Sequence, residues 1–581
     1  MRRLTLSMLL TLGTFLSAFS CLPEILADSD ENDEDTLDAK DAFDMGEALD
    51  IAEAPPNEGT EEGLQNLLQM DGVIACPKSQ LCGTVCCPTG QVCSRMGSGC
   101  INTAYAGTIY YSEYGAKGDG KTDDFDAIIK AHAAANAIGA QVRADAGKKY
   151  YIGGGVRTAR IETDTDWTGA EFIVDDTQVQ PNGNSWKDSW IFEVASTQAA
   201  KTLTSVKTLK KNQAKLNISL PSAALLVVTD DNTKHYIRRG TNQDEGASQT
   251  DVLMVDKNGN VNADSPVIWE FKGITSLVAY PMDEQRLTVK GGTFVTIANN
   301  GKAEGYMKRG IRVLRSNTVI DGLIHKVTGE GAHGAPYLGF IRPERCAYVT
   351  IKNVTLTGHK LYQHGSYDMN AVYTVNLSVI NSRQTNSITD SAYWGIFASN
   401  YSKNILFDNV TFSRFDAHKG VHNASILNSE LGHQGINIIG SGLLRVENTK
   451  VRGNTFINLR NDYGSTWDGK INIKNAIFAP PNLNNAAIIS TNNDGKWNFG
   501  YACSMPETIS IEKMTVEDKL APVNYNGVLL VRAVNSNTAA EPFPYTLTKT
   551  IHLLDMNSAK PFRITTDYVK SKIVVWNAIT K

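Results

Sequence analysis

Seven of the ten histidines fall between His325 and His433. Histidine changes charge near neutral pH, so a cluster of them among carboxylates and cations is suited to proton transfer. The densest part reads Ser413-Arg414-Phe415-Asp416-Ala417-His418-Lys419-Gly420-Val421-His422, and His433 follows. In an extended strand Asp416 and His418 share a face. A carboxylate there orients a neutral imidazole to accept a proton. Arg414 supplies a guanidinium that grips a carboxylate bidentately, which makes a neighbouring carbon acid easier to deprotonate. His433 can return the proton. Arg414, Asp416, His418 and His433 are therefore the expected catalytic set. Lys419, His422, Asp390, Trp394, Arg460 and Tyr463 are the expected substrate contacts, with Trp394 and its neighbour Tyr393 as stacking platforms. The structural alternative is that Asp416 caps a turn and His418 satisfies it. Collecting two acid–base groups, two cations and further imidazoles in so short a stretch favours a site.

The elements that must carry these residues are short, repeated strands. A pattern apolar–x–apolar–x–Asn–x–x–apolar recurs around Asn353, Asn381, Asn409, Asn428, Asn448 and Asn475, with Gly291, Gly322 and Lys513 at the Asn place toward the ends. Successive differences from 291 to 513 are 31, 31, 28, 28, 19, 20, 27 and 38. A motif at a loose period of about 20–30 residues marks a solenoid. One alternating strand cannot bury its apolar face alone, but stacked copies place like above like. The expected fold is all-β, a right-handed parallel β-helix whose Asn side chains form a ladder. Aligned on the Asn, Arg414 and His433 occupy the same offset in adjacent strands, about 4.8 Å apart, and Arg452 extends the row. Residues 160–285 are β-rich but irregular and read as early rungs with a large insertion. Cys346 and Cys503 are isolated and expected to be buried.

A solenoid needs its first rung covered. Tyr114-Gly115-Ala116-Lys117-Gly118-Asp119-Gly120-Lys121-Thr122-Asp123-Asp124-Phe125-Asp126-Ala127-Ile128 places two glycine turns before a capping residue and an Ala-rich helix that ends near Gly139. This segment closely resembles the GAxGDGxxDDxxAI opening of pectate-lyase-like and polygalacturonase-like β-helix enzymes and of phage tailspikes. Val142 and residues 147–152 resemble the next strand and turn of that superfamily. The resemblance implies the pectin-lyase-like solenoid with an N-terminal capping helix, and a module boundary near 104; it names no reaction. Residues 415–451 also resemble the mannuronan C5-epimerases, whose signature is Asp-Pro-His followed by a strand of the form INLTIRNS. Here Asp416-Ala417-His418 is followed by His422-Asn423-Ala424-Ser425-Ile426-Leu427-Asn428-Ser429. That resemblance matches Asp416 and His418 to the catalytic Asp and His. Ala417 stands in place of the Pro, and Ser413 in place of a Tyr three residues before the Asp.

Residues 1–20 carry Arg2 and Arg3 before an apolar run, the form of a signal peptide, so export to the outside or outer surface is expected. Cys21 after Ala18-Phe19-Ser20 partly resembles a lipobox, which would make Cys21 a lipid anchor and the chain's one tie to a membrane; cleavage at Ser20 or Ala27 with soluble secretion is the alternative. Residues 22–62 hold sixteen Asp or Glu against one Lys. The span 21–75 therefore reads as an acidic, disordered linker. Subtracting that −15 and the +2 of the leader from the total of −5 leaves +8 for residues 63–581, which suits an anionic polysaccharide and gives no reason to expect nucleic acid. Cys76, Cys82, Cys86, Cys87, Cys93 and Cys100 form a disulfide module over 76–100 with three bridges of open connectivity. Zinc is the competing reading, but no His accompanies the cluster. The solenoid domain occupies 104–581.

The expected function is a lyase or C5-epimerase on a uronate-containing glycan. The first rival is a glycoside hydrolase resembling polygalacturonases, with Asp390 and Asp416 as its carboxylate pair. The second is a non-catalytic glycan-binding or adhesion protein. No cofactor or metal is called for. Calcium would suit either enzyme class, although no Asp-rich calcium loop appears in the repeat.

Overall fold

The computed structural model describes residues 107–179, 190–238, 244–300, 306–332, 334, 337–361, 365–491, 498–532, 543 and 545–564, together with 81–82, 85–87, 91–93, 100–102 and 574–576. Residues 1–80, which include the expected leader, Cys21, the acidic linker and Cys76, lie outside the described residues. From Thr108–Tyr110 to Val574–Trp576 the chain winds as a parallel sheet, each strand pairing with its counterpart one coil on. Side chains alternate in and out, as in Glu171–Asp175 and Thr293–Ile297. Register therefore fixes what meets inside: Phe172 opposes Phe294, with the rings stacked 4.6 Å apart. Ile426, Val446, Ile473, Ile511 and Leu553 form one interior column. Each is almost wholly buried, at about 1.5–3 kcal/mol per side chain. The fold is a right-handed parallel β-helix, the handedness that parallel crossovers nearly always take.

The Asn series stacks at one corner. Asn353, Asn381, Asn409, Asn428, Asn448 and Asn475 all have φ between 51° and 55°. Gly291, Gly322 and Lys513 hold the same corner with φ of 69°, 72° and 58°. This left-handed conformation costs most residues a steric penalty that Asn and Gly tolerate. The side-chain amides then link rungs: Asn409 donates to Asn381 at 2.9 Å, Asn448 to Asn428 at 2.9 Å, and Asn475 to Asn448 at 2.8 Å. Where the spacing drops from 28 to 19, the ladder slips and Asn428 donates to Asp408.

The helix Phe125–Ile138 closes the N-terminal end, beginning after the N-cap Asp124. The Asp124 carboxylate accepts from the backbone N–H of Lys117 and Gly118, so it ties down the preceding glycine loop. Phe125, Ile128, Ala131, His132 and Ala135 face the first rung. There the Tyr111 hydroxyl accepts from Trp167 Nε1 and meets His132 Nε2, each at 2.8 Å.

Residues 160–285 divide. The first strands, to Phe192–Val194, are rungs. Lys201–Thr202, Ala224–His235, Ala247–Val255 and Ser276–Pro281 form a separate antiparallel sheet. Antiparallel hairpins cannot add to a parallel coil, so these strands interrupt the rungs between Phe192–Val194 and Leu287–Lys290 as an insertion. This sheet lies on the solenoid flank: Leu225, Tyr236, Val252 and Met254 pack with Val372, Tyr373, Tyr401, Tyr463 and Tyr501. A fully buried ion pair, Lys403 Nζ to Asp251 Oδ1 at 2.7 Å, pins it. Cys346 and Cys503 are free and buried. In the Cys-rich segment, Leu81–Cys82 pairs with Val85–Cys86, Cys93 stands opposite Cys100, and Cys87 is disulfide-bonded.

Asn448→Ala removes two ladder hydrogen bonds and places a Cβ-branching-free but non-permissive residue in a left-handed corner. It is expected to lower unfolding stability by about 1–3 kcal/mol, with Asn448→Gly recovering roughly 1 kcal/mol of the loss. Urea midpoints of the two variants check this; equal midpoints for Ala and Gly would deny the conformational part.

Candidate functional site

Of the expected catalytic residues, Arg414, Asp416 and His418 sit on the strand Lys403–Leu427 and His433 on the next, Glu430–Glu447. Asp416 is opposite Asn437 on the next rung, and Asn437 is opposite Asn458. These outward-facing positions are covered rather than open. Asp416 is buried, and its carboxylate accepts from Arg414 and from Arg460 Nη1, the latter at 2.9 Å. Arg460 also holds Asp462 with a two-pronged contact of 3.1 and 2.6 Å. Trp394 lies over the Arg414 guanidinium at 5.2 Å. Gly395 makes that packing feasible, since a Cβ there would stand 2.5 Å from Arg414 Cδ. His418 is buried, with Nδ1 2.8 Å from Asn400 Oδ1 and its ring edge-on to the buried Tyr463 at 5.5 Å.

Two expectations are corrected. Arg414 stands opposite Gly435 and not His433, because a register shift between Phe412 and Arg414 displaces the row. Arg414, Asp416 and His418 do not line an open groove: all three are buried, Arg414 under Trp394, Asp416 between Arg414 and Arg460, and His418 against Tyr463. His433 turns toward that segment: its backbone N–H and its Nδ1 both contact the Ile388 carbonyl, at 2.9 and 3.1 Å. Burial lowers its pKa, and the Arg414 charge adds to this. Burial also pushes His422 down to about 3, with Lys403 contributing, and Nδ1 of His422 meets Ser441 Oγ at 2.9 Å. Lys419 is buried near the Tyr463 ring. Asp390 is exposed on the loop that precedes Tyr393 and Trp394, and Asp416 is committed to two arginines, so the two carboxylates do not face each other as a hydrolytic pair.

An open concavity lies beside this network, lined mostly by loops between the repeats. A cleft of about 280 Å³ is lined by Glu330, Lys360, Asn386, Tyr393 and the hydroxyls of Thr328, Thr357 and Thr385, among others. Thr357 and Thr385 stack on adjacent rungs: Thr357 Oγ1 donates to the His325 carbonyl at 2.9 Å and meets Thr385 Oγ1 at 2.8 Å. Asn386 accepts from Gly358 N–H at 2.9 Å, while its Nδ2 has no hydrogen-bond partner. Trp394 and Tyr393 are on one loop, so the Arg414 contact to Trp394 also holds the Tyr393 wall. Lys360 and Tyr393 form a backbone bridge across the cleft.

Behind Glu330 stands a buried relay. His359 Nδ1 is 3.0 Å from Glu330 Oε1, and its Nε2 is 3.7 Å from Asp368 Oδ1. Asp368 also takes His325 Nδ1 at 2.6 Å and the Thr357 N–H at 2.9 Å. Tyr337 stacks on His359 at 4.9 Å and donates to Asp176, which pairs with the buried Arg309 at 2.7 Å. Burial pulls the His359 pKa down, but Asp368 and Glu330 outweigh it and raise it to about 9. The same imidazoles hold Asp368 far below the usual carboxylate range despite its burial. The signal available in the sequence was the spread of the histidine cluster back to His325. Glu330, His359 and Lys360 belong to loops between repeats, where the repeat pattern says nothing. Among the described residues, no group of three or more His, Cys, Asp or Glu could hold a metal ion, and no helix is long and apolar enough to cross a membrane.

A histidine whose folded pKa is about 9, against an ordinary 6.5, contributes stability in full below pH 6.5 and loses it as pH rises through 9. The stability of the wild type should therefore fall between pH 6.5 and 9 relative to His359→Gln. Urea midpoints against pH test this, and parallel curves would show that His359 is uncharged. The depressed His422 and His132 act only below their ordinary range and do not disturb that window. Asp416→Ala leaves two buried guanidinium groups without their shared carboxylate and should cost about 3–5 kcal/mol in the same measurement.

No protein-family model matches the chain, and no curated protein is significantly similar to it. Solved structures with a related course include the Pseudomonas phage phi297 tailspike gp61, at 14% identity and TM-score 0.49, covering 78% of this chain and 80% of that one. The Gp54 tailspike of Acinetobacter baumannii bacteriophage AP22, solved with a capsular saccharide, is 11% identical with TM-score 0.49, covering 81% and 79%. The Streptococcus pneumoniae surface adhesin PfbA is 12% identical with TM-score 0.37, covering 81% and 91%. At such distances the fold rests on the strand pairing itself.

Proposed function

We propose that this chain is an exported, polysaccharide-acting β-helix protein that takes an anionic, uronate-containing glycan across the Glu330–Lys360 cleft. The chemistry it suits is removal of the proton at C5. The observation that carries the reading is that one carboxylate, Glu330, and one ammonium, Lys360, stand on the same cleft, whose other polar side chains are threonine hydroxyls, the Tyr393 phenol and the Asn386 amide. Lys360 is placed to neutralise the sugar carboxylate, which makes the adjacent C5–H more acidic. Glu330, fixed by His359 and by the Lys360 N–H at 3.1 Å, is placed to accept the proton. The Tyr393 phenol on the other wall can donate a proton, either to the opposite face of C5 or to the departing 4-oxygen. The first outcome is epimerisation and the second β-elimination. Stacked threonines about 4.8 Å apart and the unpartnered Asn386 Nδ2 supply hydroxyl contacts along the chain axis.

Hydrolysis of a glycosidic bond ordinarily needs two carboxyl groups flanking it. Glu330 is the single carboxylate on the described lining, which favours the lyase or epimerase over the hydrolase. The Arg414, Asp416 and His418 group supports the same site from behind, through Trp394. The apolar leader supports export.

The test is a screen of purified protein on alginate, pectate, glycosaminoglycans and neutral glycans. Absorbance of unsaturated uronate, new reducing ends and solvent-deuterium exchange at C5 are read in parallel. Glu330→Gln and Lys360→Met should each lower kcat/KM on a polyuronate by about 10²–10⁴-fold. Lys360→Met should leave the unfolding midpoint unchanged. Retention of a glycan without turnover would make the cleft a binding site; activity confined to a neutral glycan and undiminished in both variants would end the proposal.

A further inference from the structure

The charge of the insertion is unevenly divided along its length. Residues 201–215 hold five lysines and no acidic residue, whereas residues 216–286 hold six Lys or Arg against ten Asp or Glu. Lys201–Thr202 is the terminal strand of the antiparallel sheet, and the chain keeps to the same edge beyond it. Leu203 donates its N–H to the Leu277 carbonyl, Leu209 bridges Phe271, and Lys215 bridges Asn260. Leu203, Val206 and Leu209 turn into the core of the insertion. Lys201, Lys207, Lys210, Lys211 and Lys215 are left exposed along the edge. Among the described residues, Lys211 alone of the five forms an ion pair, 3.6 Å from the exposed Asp468. Asp256, near Lys215, has its carboxylate engaged by Asn258 and Asn260.

Lysines on a sheet edge deter strand pairing. Five of them with no carboxylate in the row also make an edge that attracts a polyanion. The same chain carries the complementary charge: residues 22–62 hold sixteen Asp or Glu against one Lys, a net of −15. That segment lies outside the described residues, and the chain that joins it to the solenoid is long enough to reach the edge. Lys211, beside Asp468, stands about ten coils from the entry at Thr108, roughly 50 Å at about 4.8 Å per coil. Residues 63–75 and 101–106 alone extend to about 60 Å. We propose that the acidic segment 22–62 docks along this lysine edge and shields it from other polyanions. Each exposed ion pair is weak, but the covalent tie gives the segment a local concentration that no free polyanion has. This inference does not depend on the reading of the Glu330–Lys360 cleft.

Zero-length carbodiimide cross-linking of the full chain, read by peptide mass mapping, tests it. The expected links join carboxylates of 22–62 to Lys201, Lys207, Lys210, Lys211 or Lys215 in preference to the other lysines. They should fall about fivefold or more at 1 M salt, where the screening length is about 3 Å. Changing the five lysines together to Gln alters only exposed positions, and should enlarge the radius of gyration of the folded chain in small-angle scattering. Links spread evenly over all lysines, or a radius unchanged in the Lys→Gln variant, would overturn the proposal. So would links from added oligogalacturonate to the five lysines with none from 22–62, which would assign the edge to an external polyanion.

Discussion

Everything in this molecule depends on the chain turning the same corner in every coil. Parallel strands pair in register only if each coil enters the next strand at the same height, and that needs a sharp, repeatable bend. Three rows of left-handed residues provide it. One is the Asn series with φ near 50°. A second comprises Asn376, Asn404 and Asn423, whose amides link at 2.9 and 3.1 Å. The third is Arg345, Tyr373, Tyr401 and Gly420. The Asn rows compensate for their strained backbone with inter-rung hydrogen bonds. The third row uses stacking instead, with Tyr373 and Tyr401 rings 5.4 Å apart.

The choice of aromatic residues in that third row has a consequence. A bare row of tyrosines on a solenoid flank would be an exposed apolar stripe, and the inserted antiparallel sheet covers it. Cluster packing by Leu225, Val252 and Met254 supplies the apolar contact. The Lys403–Asp251 pair, with Asp251 also accepting the Ile268 N–H at 2.8 Å, sets where the sheet sits. A buried pair of this kind contributes little net stability but strongly penalises wrong docking. Tyr236 from that sheet packs on Tyr463, whose ring borders His418 and Lys419. Asp416, held by Arg414 and Arg460, fixes the guanidinium on which Trp394 rests.

Reactive groups reach solvent where loops between repeats leave the coil next to the Trp394–Arg414 contact. Glu330 and Lys360 lie on successive turns, so the coil repeat sets their separation and His359 fixes the carboxylate from behind. The arrangement is rigid because each partner is itself held: His359 between two carboxylates and under Tyr337, Tyr337 on Asp176, Asp176 on Arg309. Such over-determination is what a site needs if it is to meet a substrate without reorganising.

The sequence by itself determined the solenoid, the corner row of asparagines and the capped N-terminal entry. Each of these is periodic or local: alternation of period two, Asn tolerance of positive φ, and a glycine loop ahead of a helix. It also showed that histidines gather in the middle third. Tertiary structure alone decided which of them reach a cleft. The offset rule that paired Arg414 with His433 failed at a register shift that no pattern in Phe412-Ser413-Arg414 announces. The burial of His418 and Tyr463 depends on an insertion some 200 residues earlier in the chain, and its docking is a long-range packing outcome. Glu330 comes from one loop, and His359 and Asp368 from the next, and only the coil repeat brings the two loops together. Inter-loop distances of this kind are set by how coils stack, and single-residue spacing does not encode them.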